Sequence, residues 1–406
     1  MPDGSFAPNA TARFNRKRVA IIVAATELLN QNGVRGMTLA EVADRVGLIT
    51  TSVTYYFKRK EDLAAACFLA GVRRLAALTA EASAEDTASA RLRRLIELYL
   101  ALRARVDAGE EPPMPVFGDI RALSPPAQRP IATAYGDLFR QVRRLFAAPD
   151  AGVLSRGQAT ARAQIVLEQL HWLEAWLPRY KRATPARVGE RLHDILTHGL
   201  AAPGASWRPA PLPAMTAGEP SPREAFLQAA TRLINERGYH GASVDAISAA
   251  LGVTKGSFYH HHSAKDDVVA ACFERSFETV RRAQAAAQVL PAGQWTRLTS
   301  AAAALVERQF SAAGPLLRTT ALAAIPQGIR EEMLAGSIRL SDGFAAMIAD
   351  GVAEGSLRGV DPFVAAQMLN ATLNAAADLP VLLRGVSAST AVDFYARPFF
   401  TGLTAA

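Results

Sequence analysis

Residues 24–68 and 229–273 of this 406-residue chain carry one pattern twice, 205 positions apart. Laid over each other without a gap they share 15 identities, and pairs such as Val42 with Ile247 or Leu48 with Val253 differ only in apolar shape. An alanine-rich composition does not produce that agreement by chance, so the chain is read as a duplication and its fold must be built twice. Its length also exceeds that of a typical single domain. Between the copies, residues 202–222 hold six prolines, which stop any regular element from running through. At about 3.1 Å per residue, such an extended linker is long enough to pass across a domain.

Half the residues are hydrophobic, enough to bury large cores, and alanine, leucine and arginine favour helices. No convincing alternating strand runs occur. In the first half Ile22, Thr26 and Leu29 follow helical spacing, and Gly33 supplies a stop. Thr38-Leu-Ala-Glu41 is a capping box opening a second helix, which Gly47 ends. A short helix is expected from about residue 50. A fourth starts near Arg59, with Leu63, Ala66 and Cys67 on one side. The second half repeats the plan through Phe226, Ala230 and Leu233, then Gly238, Ser243, Gly252 and Ser263. Beyond residues 75 and 275 come longer amphipathic helices broken by proline-rich loops.

Two helices joined by a tight glycine turn, Gly47 or Gly252, fit a helix-turn-helix. The second helix of such a pair needs one face for its domain and one for DNA. Val53, Phe57 and Leu48 supply the inward face, with Phe258 and His262 in those places in the other copy. Outward lie Thr50, Thr51, Thr54 and Tyr55, or Lys255, Gly256, Tyr259 and His260, groups able to reach base edges and phosphates. Thr38 and Ser243, with Lys60 and Lys265, stand at helix starts where backbone N–H groups also favour phosphate. A protein-binding module is the other reading of such a motif.

In these residues the chain resembles the TetR family of bacterial transcriptional regulators. The family's reader has a glycine ending helix 1, a hydroxyl opening helix 2, a Gly-hydrophobic turn, a small residue, an aromatic pair and a Lys-acid-acid-hydrophobic start to helix 4. Here these are Gly33, Thr38, Gly47-Leu48, Ser52, Tyr55-Tyr56-Phe57 and Lys60-Glu61-Asp62-Leu63. The second copy gives Gly238, Ser243, Gly252-Val253, Ser257, Tyr259-His260-His261-His262 and Lys265-Asp266-Asp267-Val268.

The resemblance implies an all-α fold of two tandem TetR-like units, each a three-helix reader plus a larger helical domain for ligand and dimerisation. The expected divisions are a reader at 13–70, a helical domain at 71–201, the linker 202–222, a second reader at 223–275 and a second helical domain at 276–406. It implies a non-enzymatic transcriptional regulator, a repressor that a small-molecule effector releases from a double-stranded DNA operator. The DNA-facing set would be Thr38, Thr50, Thr51, Ser52, Thr54, Tyr55, Tyr56 and Lys60, then Ser243, Lys255, Gly256, Ser257, Tyr259, His260, His261 and Lys265. An effector pocket would draw on Tyr99, Phe117, Trp172, Trp295, Phe310 and Phe344, each also readable as plain core.

An ordinary member is a homodimer whose last two long helices pair. Here 164–180 and 362–383 are two such segments on one chain. A single-chain pseudo-dimer on an imperfect palindrome is favoured by an effective concentration on the order of mM. A homodimer with four readers is the alternative, and the second helix-turn-helix could instead serve protein contacts.

Some positions depart from the family pattern. Ile49 stands where a small polar cap is usual, shifting the expected cap to Thr50. Thr54 replaces a phosphate-touching tyrosine, a task Tyr55 would take over, and His262 replaces a buried phenylalanine. The two readers should therefore prefer different half-sites. The basic run at 13–18 fits either a phosphate or minor-groove contact or a solvated helix start.

The net charge of +8 sits in the first half, with 28 Lys+Arg against 20 Asp+Glu in residues 1–206 and 17 against 17 in 207–406. A polyanion partner and a merely soluble basic surface both fit that asymmetry. Cys67 and Cys272 occupy one position in the two copies and build neither a disulfide framework nor a metal site. They suit a reducing cytoplasm as small buried hydrophobes. Consecutive histidines at 260–262 point about 100° apart and do not converge on a metal. No cofactor is expected. Enzyme signatures such as HExxH, GxSxG or a Walker loop are missing, as is any apolar run suited to a membrane.

Overall fold

The computed structural model describes residues 8–180, 184–215, 221–251, 265–311, 313–325 and 327–404. Among these the chain is helical, with no strand beyond one isolated bridge between Ala201 and Leu357.

The first half runs α1 (Pro8–Gly36), α2 (Leu39–Arg45), α3 (Thr50–Tyr56), α4 (Lys60–Ala82), α5 (Ala88–Asp107), α6 (Pro125–Arg144), α7 (Arg156–Trp176) and α8 (Pro185–His198). The second runs α9 (Pro222–Gly241), α10 (Val244–Leu251), α11 (Lys265–Gln288), α12 (Gln294–Gln309), α13 (Gln327–Ala353) and α14 (Pro362–Ala375). A last helix, α15, continues from Ala388–Ala391 through a π turn at Val392–Ala396 into Arg397–Thr401. Matching 3-10 turns, Phe117–Ala122 and Thr319–Ala324, precede α6 and α13.

The glycines act where the backbone requires them. Gly33 and Gly238 interrupt α1 and α9 at φ 69° and 71°, in the left-handed region that side chains resist. The repeat also sets the small core of each copy. Thr26 and Thr231 return their hydroxyls to Ile22 and Leu227 carbonyls, and Cys67 and Cys272 lie fully buried beside them. Burial pushes both thiols up to about 11.

Sequence reading found no membrane-suited run, yet α4 is long and apolar enough by composition, with an 18-residue window of mean hydropathy 1.5. Half of that window is buried, because α4 packs between α1, α5 and α6 as a core helix. It also runs unbroken through residue 70, where the sequence suggested a division.

Each copy of the repeat keeps its own small core, whereas the larger helical parts share one. There α7 and α8 pack on α14 and α15, so four helices from the two halves meet within one chain. Residues 160–170 of α7 and 364–373 of α14 are buried on every side. Several of their polar groups pair across the junction. Gln169 Nε2 donates to Met368 O at 3.1 Å and Thr372 Oγ1 at 3.0 Å, Trp172 Nε1 to Gln367 Oε1 at 3.1 Å, and Arg162 Nε to Leu403 O at 2.7 Å.

A buried ion pair ties the halves most tightly. Arg318 NH2 lies 2.8 Å from Glu168 and its Nε 3.2 Å from Asp378, with Arg318 and Glu168 each about 5% exposed or less. Burial opposes the guanidinium's charge, but Glu168 and Asp378 outweigh it and hold its pKa above the ordinary range. The described linker does not hang free: Trp207 packs on Phe400, Ser206 O accepts from Trp295 Nε1 at 2.8 Å, and Ala210 N donates to Ser300 Oγ at 2.8 Å.

Each reader's first helix also packs on the other half's 3-10 turn, α9 on 117–122 and α1 on 319–324. The Lys265 ammonium sits 4.2 Å from the Tyr239 ring centre, and Tyr239 O–H donates to Asp266. Burial, then the Arg35 charge of the first half, depresses the Lys265 pKa to about 8, against a smaller opposing pull from Asp266.

Replacing Arg318 with Ala leaves Glu168 buried without its cation and should cost about 3–5 kcal/mol, seen as a lower urea midpoint. Lys265 gives a pH signature. Unfolded lysine titrates near 10.4, above its folded value of about 8, so the unfolded chain holds the extra proton between those limits. This group's contribution to stability therefore rises with pH through that window. Unfolding at pH 7.5 and 9.5, below the tyrosine range, should show a gain that Lys265→Met lacks; identical responses would remove the assignment.

Candidate nucleic-acid interface and adjoining cavity

The first helix-turn-helix is set by local chemistry. Thr38 accepts from Glu41 N at 3.2 Å while Glu41 Oε2 accepts from Thr38 N at 3.0 Å, a reciprocal capping box. At Gly47, φ 65° turns the chain so that Leu48 N reaches Ala43 O at 2.9 Å, and α3 begins at once. No side chain caps α3. Ile49, extended and 71% exposed, is the N-cap residue, and Thr50 already lies inside the helix, so the cap expected at Thr50 does not form.

Val53 and Phe57 are buried, with Arg18 5.2 Å over the Phe57 ring. Thr50, Thr51 and Tyr55 face solvent, Tyr55 at 76% exposure, while Ser52, Thr54 and Tyr56 are half-buried. Thr54 Oγ1 donates to Thr51 O at 2.9 Å. Phe14 packs 4.7 Å from Tyr56 and edge-on to Tyr55, and a groove of about 290 Å³ runs between Lys17, Leu48, Thr51 and the two tyrosines. Residues 13–18 are helical turns of α1, so they are not an extended arm. Lys60 Nζ donates to Arg35 O at 2.8 Å, closing the end of α1. Lys17 and exposed Lys58 flank the outward face. The sequence reading named Lys17 only within the basic run at 13–18 and left out Lys58, although the basic run at 58–60 was visible there.

In the second copy, Ser243 Oγ accepts from Ala246 N at 3.1 Å and opens α10. Lys255, Gly256, Ser257, Tyr259, His260 and His261, with Phe258 and His262, lie outside the described residues. Lys265 is half-buried over Tyr239 and feels the Arg35 charge. Among the described residues no group of three or more His, Cys, Asp or Glu could hold a metal ion.

Behind the readers lies a cavity of about 1320 Å³, larger than the roughly 300–1,000 Å³ usual for small-molecule sites. Tyr99, Phe117 and Trp172 line it. Trp295, Phe310 and Phe344 do not: Trp295 turns toward Phe400 and the linker, Phe344 is fully buried in the shared core, and Phe310 packs on that core at the end of α12. Residues from both halves form the wall, including Arg121 and His171 from the first and Arg318 and Thr319 from the second.

The cavity also reaches the first helix of each reader at Asn30 and Asn235, the same position in the two repeats. Asn30 donates to Met114 O at 2.8 Å and accepts from Val116 N at 2.9 Å. Asn235 donates to Leu316 O at 2.8 Å and accepts from Arg318 N at 3.0 Å. Each asparagine thus ties the first helix of its reader to a loop of the cavity wall. Both were identities in the repeat, but a lone asparagine on a helix gives no sign of a loop more than 80 residues away.

The model for bacterial regulatory proteins of the tetR family matches residues 21–67 and again 226–272. Among curated proteins, the chain is 38% identical over 52 residues to the transposon Tn10 TetC protein of Escherichia coli, covering 13% of this chain and 26% of that protein. It is 35% identical over 60 residues to the HTH-type transcriptional repressor DhaR of Mycobacterium sp. (strain GP1), covering 15% and 30%. The chain thus spans under a third of the length of these relatives. Among solved structures, the TetR family regulator PfmR from Thermus thermophilus is 19% identical with a TM-score of 0.36, covering 43% of this chain and 95% of that one. A tetR family regulatory protein from Rhodococcus RHA1 is 24% identical with a TM-score of 0.36, covering 44% and 93%. The chain therefore carries two domains of the tetR family of bacterial regulatory proteins in tandem, at 21–67 and at 226–272.

Proposed function

We propose that the chain is a DNA-binding transcriptional repressor released from its operator by a small-molecule effector. The observation that carries this is the outward face of α3, where Thr50, Thr51 and Tyr55 stand clear of the core beside Lys17 and Lys58. A helix so presented suits a major groove, with lysines for phosphate and hydroxyls for base edges. The readers would be 13–70 and 223–275, the second presenting Lys255, Tyr259 and His260, and the larger helical parts 71–201 and 276–406 would position them.

A single chain would act as a pseudo-dimer on an imperfect palindrome. The packing of α7 and α8 on α14 and α15 supports this, because it occupies within one chain the faces that two chains would otherwise share. Release follows from the asparagine clamps: an effector in the cavity that prefers one arrangement of the two loops shifts the readers' spacing, and DNA affinity falls by that differential.

The mass of the purified protein, free and on DNA from its own upstream region, tests the pseudo-dimer: one chain per specific site is expected, and two chains would replace it with a four-reader homodimer. Tyr55→Ala should weaken specific binding by about 1–3 kcal/mol, roughly 5- to 150-fold, in a mobility-shift titration. Tyr259→Ala tests the second reader in the same way; no effect there would reduce the protein to one DNA-gripping unit.

A further inference from the structure

Four of the carboxylates that line the cavity are already engaged, while the fifth, Glu236, is exposed. Glu168 and Asp378 share Arg318, Glu174 accepts from Tyr99 O–H at 2.6 Å and pairs with Arg103, and Asp119 accepts from Val34 N. Arg121 differs. It lines the cavity and its Cβ lies against Gly238, yet its guanidinium has no hydrogen-bonded or ion-paired partner among the described residues. Burial lowers its pKa, and the Asp378 charge only partly restores it. His171 lines the same cavity: its Nε2 is buried with no partner among those residues, and its ring lies 5.6 Å from that of Phe117, in the turn that carries Arg121. A half-buried guanidinium without a paired carboxylate and a buried ring nitrogen without a partner both leave hydrogen-bonding capacity unused. An acid group in the cavity would satisfy the two together.

We propose that this cavity binds one anionic amphipathic molecule per chain, its carboxylate or phosphate on Arg121 and His171 and its apolar body among Phe117, Ile131, Tyr135 and Phe139. The proposal names the effector class for the regulator reading, on which it rests for its biological consequence and not for binding itself. One ligand per chain follows from the wall, which both halves complete. It follows also from the duplicate turn: Phe117–Ala122 reads FGDIRA, whereas Thr319–Ala324 reads TTALAA and offers no second arginine.

Isothermal titration of the full chain with dodecanoate, dodecan-1-ol and dodecylamine tests this. Dodecanoate should bind at one per chain and at least 10-fold more tightly than the alcohol or the amine, and Arg121→Gln should erase that preference while leaving alcohol binding. Gly136→Leu gives a second route should Arg121→Gln misfold. A Cβ at Gly136 meets only an Arg140 nitrogen at 3.7 Å, so the larger side chain should enter the cavity and weaken dodecanoate and dodecanol alike. Equal or tighter binding of the alcohol or amine, two carboxylates per chain, no binding of any probe, or a preference surviving in Arg121→Gln would each overturn the proposal. DNA binding by the ligand-free chain is measured separately. Its absence would sink the regulator reading while leaving a carboxylate preference intact, so the two failures are distinct.

Discussion

Arg318 leaves the second half of the chain and is neutralised by Glu168 of the first, with Asp378 on its other side. Taking these charges out of water is tolerable only because geometry and further hydrogen bonds compensate them. Asn374 Oδ1 accepts from Arg318 NH1 at 2.9 Å, and the backbone N–H of Arg318 is held by Asn235. One residue therefore fastens the two halves together, forms part of the cavity wall and anchors the loop beneath the second reader. The relative placement of everything else depends on that pairing and on the buried faces of α7 and α14 around it.

Duplication followed by pairing within one chain permits differences that identical subunits could not sustain. A homodimer repeats each side chain across its axis, so an arginine in one pocket is an arginine in both. Here the two matching turns carry different chemistry, FGDIRA against TTALAA, and a single cavity draws on both halves. The readers differ in the same way, since the aromatic run at 55–57 corresponds to histidines at 260–262. What the halves have in common is the framework: the left-handed glycines, the buried threonine and cysteine of each small core, and the asparagine clamps.

Much of the local architecture was legible in the sequence because its causes are local. Thr38 and Glu41 cap a helix through groups three residues apart, and Gly33 and Gly47 adopt positive φ where side chains would clash with their own backbone. The apolar spacing that puts Val53 and Phe57 inward fixes which face of α3 points out. Where the sequence reading went astray, a contact distant in the chain decided the matter. Trp295 resembled any pocket aromatic until the linker and Phe400 folded over it.

From the sequence alone came the duplication, the helical character and, in the first reader, the Thr38–Glu41 capping box, the glycine turns and the outward placing of Thr50, Thr51 and Tyr55, because each follows from residues within a few positions of one another. Tertiary structure alone decided that the halves pair with each other, that Arg318 finds Glu168 across 150 residues, that Arg121 is left without a counter-ion among the described residues and that two asparagines hold the cavity's loops. Those outcomes depend on which surfaces exclude water together, and apolar periodicity along a helix marks a face as buried without naming the surface that buries it.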